Sequence, residues 1–273
     1  MNNITLLVNS CDKYKDAWMP FFTLFDTYFP NFTSRIFLNT EKLEYNSNNV
    51  KTIHSNKKTW SKRLIDALKQ VDTEYILFML EDFFLQKPVK QDIFYSHLDY
   101  ISKHKDVGVI YYIPDMDYNL WQAKTYDESL FLEEIIPGSP LRINAQTAIW
   151  RKEYLLKILL SKEDPWNFEK FGSLRSNKLK EKVLCCPSKL WVFPYQVYMG
   201  SGYGINGKWH KKNKELFEKH NINVNFENLG WFEEKEKVIT TRKQRMINYI
   251  KHPKTLFSRL RIALKGKFPF LNI

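Results

Sequence analysis

Residues Tyr75-Ile76-Leu77-Phe78-Met79-Leu80 form an unbroken apolar run that stops at two adjacent carboxylates, Glu81 and Asp82, and turns apolar again at Phe83 and Phe84. A run of this length and aromatic content reads as a strand buried on both faces. Carboxylates resist burial unless they are paired, hydrogen-bonded or bound to a cation. In an open α/β sheet the carboxyl ends of the strands are where ligands bind. The acidic pair is therefore expected to meet a cation, a sugar or a metal-bound phosphate.

The chain around this run alternates in period. Residues 4–10 read as a first strand, 15–29 as a helix with Trp18, Phe21, Phe22 and Phe25 at helical spacing, and 34–39 as a second strand. Pro30 and Asn31 end that helix. Residues 50–53 read as a short third strand, and the segment from Thr59 to Leu68 as a helix capped by Thr59 or Ser61. Strand alternating with helix predicts an α/β fold with a mainly parallel central sheet. Further on, 91–104 and 151–160 read as helices, and 107–113 and 142–150 as strands. The polar, acidic stretch 114–140 reads as a long loop or insertion, and Pro194 to Trp209 as a glycine-rich loop. No internal repeat or low-complexity linker is visible. The expectation is one domain over 1–232, in two halves (1–105 and 106–232), followed by a tail over 233–273.

The net charge of +12 is unevenly placed. From Lys237 to Ile273 there are ten Lys or Arg and no Asp or Glu, so the rest of the chain carries 32 basic against 30 acidic side chains, a net of +2. The body offers no basic groove and no recognition motif, so nucleic acid is not an expected partner, and a non-enzymatic basic nucleic-acid- or membrane-binding protein is the alternative reading. Three cysteines, Cys11, Cys185 and Cys186, have neither disulfide-framework nor zinc spacing, which predicts a reducing compartment. The opening MNNITLLVNSCDKY lacks a basic region and a long apolar stretch, and predicts no signal peptide.

The opening strand and loop, the helix Trp60-Ser61-x-Arg63-x-x-x-Ala67-Leu68 and the strand ending in Glu81-Asp82 together resemble the nucleotide-sugar half of a GT-A glycosyltransferase. More narrowly, the chain resembles bacterial enzymes that build capsule or lipopolysaccharide glycans. The resemblance spans roughly residues 1–210 by order of elements, and its motifs are short. It implies a Rossmann-like GT-A domain with a nucleotide-sugar half over 1–105 and an acceptor half over 106–232. It implies a nucleotide-sugar donor, a UDP-sugar foremost, and a saccharide or lipid-linked acceptor. Carried over, it places Val8, Asn9, Ser10 and Asp12, with Asn39 and Thr40, around base and ribose, and Arg63 toward the diphosphate. A guanidinium fork suits two phosphate oxygens; a surface salt bridge is the competing reading. The family's metal motif is Asp-x-Asp, whereas this chain offers Glu81-Asp82-Phe83. Adjacent side chains in extended backbone point to opposite sides, so Asp82 can take Mg²⁺ or Mn²⁺ while Glu81 turns to sugar hydroxyls. Binding through one protein carboxylate and binding no metal both stay open.

Inverting transfer needs a general base near the acceptor hydroxyl. The resemblance puts an acidic residue at a helix start, and Glu163, Asp164 and Glu169 compete for that role. Glu169 is favoured because Trp166 and Phe168 can desolvate it, and Trp166 can stack on an acceptor ring. Asn144 and Gln146 can reach sugar hydroxyls or the base. The loop from Gly200 to His210 holds four of the chain's nine glycines. With Lys208 it reads as a lid over the donor diphosphate, with His210 as a candidate metal ligand.

In the tail, Leu256, Phe257, Leu260, Ala263 and Leu264 share a helical face, with Lys254, Arg259, Arg261 and Lys265 largely elsewhere. This is a basic amphipathic helix suited to an anionic membrane surface, and it predicts peripheral attachment at the cytoplasmic face. Each such charge near an anionic leaflet contributes about 1 kcal/mol. The chain is therefore expected to float with anionic liposomes at low salt and to be released as salt rises. A chain ending at Glu236 is expected to stay in the lipid-free fraction, and equal flotation of both would contradict the reading.

Overall fold

A computed structural model describes residues 3–112, 122–197 and 207–232. The strands β1 (Ile4–Asn9), β2 (Ile36–Thr40), β3 (Val50–His54) and β4 (Tyr75–Leu80) pair in parallel in the order β3-β2-β1-β4. Asn9 lies level with Asn39 on one side and Leu80 on the other. The carboxyl ends of β1, β2 and β4 are therefore flush, and Glu81 and Asp82 leave the sheet beside Ser10.

The sheet continues through the second half of the chain, and there it stops being mainly parallel. β8 (Ala148–Arg151) lies between β4 and β5 (Val107–Tyr112), antiparallel to both. β5 pairs in parallel with β9 (Lys182–Cys186), and the hairpin β6 (Ala123–Asp127) and β7 (Leu132–Ile135) closes that edge. Among the described residues the nine strands form one mixed sheet, with four parallel and four antiparallel pairings. The expected parallel sheet is thus corrected to a mixed one. β7 and β8 both run against β4, the chain entering each from the carboxyl-end side.

Helices cover both faces. α1 (Trp18–Tyr28), α3 (Gln91–Lys103) and α6 (Lys211–Lys219) pack on the face carrying Leu6, Val8, Leu77 and Met79. α2 (Trp60–Gln70), α4 (Lys152–Ile158) and α5 (Pro165–Ser176) pack on the face carrying Leu7, Ile76, Phe78 and Trp150. The period-two alternation of a strand explains why adjacent Cys185 and Cys186 are buried in different clusters. All three cysteines are free thiols. Gly108 lets β5 approach α4 closely, since a Cβ there would stand 2.4 Å from the Tyr154 ring.

Several elements differ from their sequence reading. The helix expected over 15–29 begins as a 3-10 turn over Asp12–Ala17 and becomes α-helical at Trp18. The stretch 114–140 contains the β6–β7 hairpin, whose exposed AKTYD strand carries no apolar signal. The strand expected over 142–150 starts only at Ala148. In the strip 143–147 every backbone amide bonds to a side chain: Ile143 to Ser173 Oγ, Asn144 to Tyr111 Oη, Ala145 to Glu169 Oε1, Gln146 to Asn144 Oδ1 and Thr147 to Tyr195 Oη, at 2.9–3.3 Å. Buried amides must be satisfied, and here side chains do so in place of a strand ladder. The basic tail and most of the glycine-rich loop (198–206) lie outside the described residues.

α5 is fixed at its start by a buried ion pair. Arg175 donates to both oxygens of Glu163 at 2.8 and 2.7 Å and to the Ile158 carbonyl at 2.8 Å. Glu163 also exchanges backbone bonds with Ser61: its amide donates to Ser61 Oγ at 3.0 Å and its carbonyl accepts from the Ser61 amide at 3.2 Å. The starts of α2 and α5 are thereby held side by side. Removing one partner of such a pair strands the other charge in the core, so Arg175→Met is expected to cost about 3–5 kcal/mol in urea unfolding. A loss below about 1 kcal/mol, the range of an exposed pair, would contradict this placement.

Candidate active site

A cleft of about 210 Å³ opens at the carboxyl ends of β1 and β4. Its lining draws on both halves of the chain: Asn9, Ser10, Cys11 and Tyr14 after β1, Leu80, Glu81 and Asp82 after β4, and Trp60 and Arg63 from α2. The second half supplies Ala145 and Gln146 from the side-chain-held strip, and Pro165, Trp166 and Glu169 from the first turns of α5. Gly207 completes it; its φ of +70° and its seat on Tyr14, where a Cβ would stand 2.4 Å from the ring, both demand glycine.

Three carboxylates thus share one cleft. Glu81 is 5% exposed and Asp82 7%. Burial, and then the neighbouring Asp82 charge, push the Glu81 carboxyl well above the ordinary range, against the opposing pull of its own amide and the Ser10 hydroxyl. Glu169 is also raised by burial, opposed by the Ala145 amide, which donates to its Oε1 at 3.0 Å. The same negative environment reaches two neighbours. Burial, with Glu81, raises Cys11 to about 11, and burial with Glu81, Cys11 and Asp82 raises Tyr14 to about 12. Cys11 is therefore a protonated thiol at neutral pH and a poor nucleophile.

The sequence-derived site residues divide. Asn9, Ser10, Arg63, Glu81, Asp82, Gln146, Trp166 and Glu169 line the cleft together. Arg63 also pairs with Glu41 at 3.1 Å, the competing salt-bridge reading, while lining the cleft. Trp166 is 75% exposed, an unusual position for an indole. Val8 is fully buried in the core, and Asn39 is buried behind Asn9, donating to its Oδ1 at 2.7 Å. Thr40 Oγ1 donates to the Leu43 carbonyl at 2.9 Å. Asp12 accepts from the amides of Glu41, Lys42 and Leu43 at 3.1–3.2 Å; burial works against its charge, but those amides outweigh it and lower its pKa. Asn144 spends its side chain locally, on the Gln146 amide and the Leu141 carbonyl. Lys208 is exposed and outside the lining. His210 caps α6, its Nδ1 accepting from the Lys212 amide at 3.3 Å. Of the three acids that compete as base, Glu163 is bound to Arg175 and Asp164 caps α5 at 2.8 Å, which leaves Glu169 at the cleft.

Tyr14 and Cys11 carry no role in the sequence reading, whereas Trp60 opens the helix motif and Gly207 belongs to the loop read as a lid. Trp60 and Arg63 are three apart on one helix, a spacing that could have paired them. Tyr14 carried no such signal, because its position follows from the 3-10 turn.

Among the described residues no group of three or more His, Cys, Asp or Glu side chains is arranged to hold a metal ion. Two adjacent carboxylates at a cleft nonetheless suit a hard divalent cation that completes its shell with water and substrate oxygens. Among the described residues, no helix is long and apolar enough to cross a membrane.

No family model matches the chain, and no curated protein is similar to it. It is similar to several solved structures at low identity. S. aureus TarS 1–349 is 15% identical, with 67% of this chain and 60% of that chain covered and a TM-score of 0.43. The bifunctional IspDF from Campylobacter jejuni is 14% identical, with 61% and 46% covered and a TM-score of 0.36. A mycobacterial protein is 7% identical, with 67% and 64% covered and a TM-score of 0.45. The chain spans about a third of a longer S. aureus TarS chain, with 33% covered. At these scores the likenesses carry no inference about the site or its activity.

The raised carboxyls give a signed pH dependence. Above the ordinary value of 4.5 the unfolded chain releases protons that Glu81 and Glu169 retain when folded. Their contribution to stability is therefore full below 4.5 and lost as pH rises through the folded values. Glu169→Gln keeps an acceptor for the Ala145 amide and removes the charge. Compared by urea unfolding at pH 5 and pH 8, the variant is expected to lose less stability across that interval than the native chain. An equal loss would contradict the desolvated placement of Glu169.

Proposed function

We propose that this chain is a nucleotide-sugar-dependent glycosyltransferase that inverts at the transferred carbon and acts on a saccharide or lipid-linked acceptor. A UDP-sugar is the foremost donor, and bacterial surface polysaccharide synthesis the setting. The observation that carries the proposal is the convergence in one strand-end cleft of Glu81 and Asp82 from β4 with Glu169 from α5. The sequence resemblance to GT-A enzymes points the same way.

Each residue then has a physical role. Asn9, Ser10 and Tyr14 border the donor's nucleoside side. Arg63 offers a five-donor fork that can keep Glu41 and still reach a diphosphate oxygen. Glu81, its carboxyl pKa raised by burial, faces the sugar hydroxyls. Asp82 would hold Mg²⁺ or Mn²⁺ together with substrate phosphates. Such a cation offsets charge that develops on the departing diphosphate. Trp166 supplies an exposed aromatic face for an acceptor ring. The acceptor oxygen bonds to the anomeric carbon as the bond to the diphosphate oxygen breaks, and Glu169 takes the hydroxyl proton. A base with a raised pKa is well matched to that transfer near neutral pH. The basic segment 237–273 would seat the enzyme on an anionic leaflet where lipid-linked acceptors lie.

Thermal unfolding with a panel of nucleoside diphosphates, with and without Mn²⁺, tests the reading. A diphosphate at 100 times its dissociation constant is expected to add about 2.7 kcal/mol. Asp82→Asn is expected to lose the Mn²⁺-dependent part of that gain, and turnover should fall at least about 100-fold, in line with removal of a transition-state charge stabiliser. Release of pyrophosphate from a nucleoside triphosphate, with no nucleoside diphosphate released from nucleotide sugars, would contradict the proposal and favour nucleotidyl transfer.

A further inference from the structure

We infer that Tyr195 is a positioning residue that turns the Gln146 amide so that its NH2 group faces the acceptor. The site then selects an acceptor whose reacting hydroxyl has a neighbouring oxygen. The inference rests on the glycosyl-transfer reading and adds to it the chemistry of acceptor choice.

Gln146 lines the cleft one residue from Ala145, whose amide anchors Glu169. Its Oε1 lies 3.2 Å from the Tyr195 hydroxyl, nearer than the Tyr112 carbonyl at 3.3 Å that is the other acceptor of that one proton. With that oxygen occupied, the group left to a ligand is the NH2, and no side chain or carbonyl among the described residues accepts from it. Glu169 shows the complementary arrangement. Its Oε1 takes the Ala145 amide, and its Oε2 has no donor among the described residues. The cleft wall therefore presents one donor and one acceptor, from Gln146 and Glu169, anchored at consecutive backbone positions. A hydroxyl giving its proton to Glu169 satisfies the acceptor. A neighbouring hydroxyl, ether or carbonyl oxygen satisfies the donor, and an acceptor lacking it leaves a buried NH2 unmet.

Tyr195 itself is fully buried and lies outside the cleft lining, so it acts through Gln146. Its ring stacks on Phe83 at 4.5 Å, and its backbone bridges Leu85. Its hydroxyl also accepts from the Thr147 amide and lies 3.3 Å from the Tyr112 carbonyl. The same side chain thus links the segment after Glu81 and Asp82 to the strip that carries Gln146.

The test measures nucleoside diphosphate release from the nucleotide sugar chosen by thermal shift, with methyl glycosides of common hexoses and their deoxy analogues as acceptors. Tyr195→Phe keeps the ring stack and removes the hydroxyl; Gln146→Ala removes the amide. Each is expected to raise the acceptor KM about five- to ten-fold, the scale of one neutral hydrogen bond, with kcat falling less than about three-fold. Tyr195→Phe added to Gln146→Ala should cost less than about two-fold more, since coupled partners are not additive. Deleting the oxygen beside the reacting hydroxyl should cost the native enzyme the same factor and cost Gln146→Ala nothing further. Multiplicative effects of the two variants, a fall in kcat alone accompanied by lost stability, or an equal deoxy penalty in Gln146→Ala would overturn the inference. A native chain that releases no nucleoside diphosphate from any nucleotide sugar would instead overturn the glycosyl-transfer reading, and this inference with it.

Discussion

The strip 143–147 is held to the protein by side chains, and the cleft depends on that arrangement. A strand ladder would satisfy its amides with a neighbouring backbone and fix alternate side chains above and below the sheet. Here the amides reach Ser173, Tyr111, Glu169, Asn144 and Tyr195, which come from α5, β5, the strip itself and the segment after β9. The strip can therefore run across the strand ends before the chain turns into β8. It brings Gln146 to the acidic end of β4, and it uses one carboxylate oxygen of Glu169 as a structural bond while the residue stays at the cleft.

Two buried acidic sites do opposite work. Glu163 is fully paired with Arg175 and joins α5 to α2 through Ser61. Its charge is spent on architecture. Glu81 is buried beside another carboxylate, and burial is the leading cause of its raised pKa. The fold thus pairs one buried carboxylate with a bidentate guanidinium and gathers three others, Glu81, Asp82 and Glu169, in one cleft.

Much of the first half was legible in sequence. Short apolar runs separated by helices gave β1, β2, β3 and β4 in parallel, and the break at Glu81-Asp82 marked the sheet end that carries the cleft. The local signals there agree with tertiary structure because β1, β2 and β4 are buried on both faces. The second half was less legible. RINAQTAIW has strand composition throughout, yet only its last residues join the sheet, because side chains distant in sequence satisfy the earlier amides. The direction of β8 depends on the path of the chain, and the β6–β7 hairpin has too little apolar content to announce itself. Among site residues, Glu169 and Gln146 could be singled out by type and place. The burial of Val8 and Asn39, and the arrival of Tyr14 at the cleft, depend on packing that no local pattern encodes.

The acidic end of β4 is proposed to receive a nucleoside diphosphate and a divalent cation in this cleft. The most direct measurement is an anomalous-scattering map from a crystal grown with Mn²⁺ and the nucleoside diphosphate selected by binding. A manganese peak in contact with Asp82 and with phosphate oxygens is expected, with the nucleoside directed toward Asn9 and Tyr14. Nucleotide bound elsewhere on the molecule, with no ligand between β4 and α5, would contradict it.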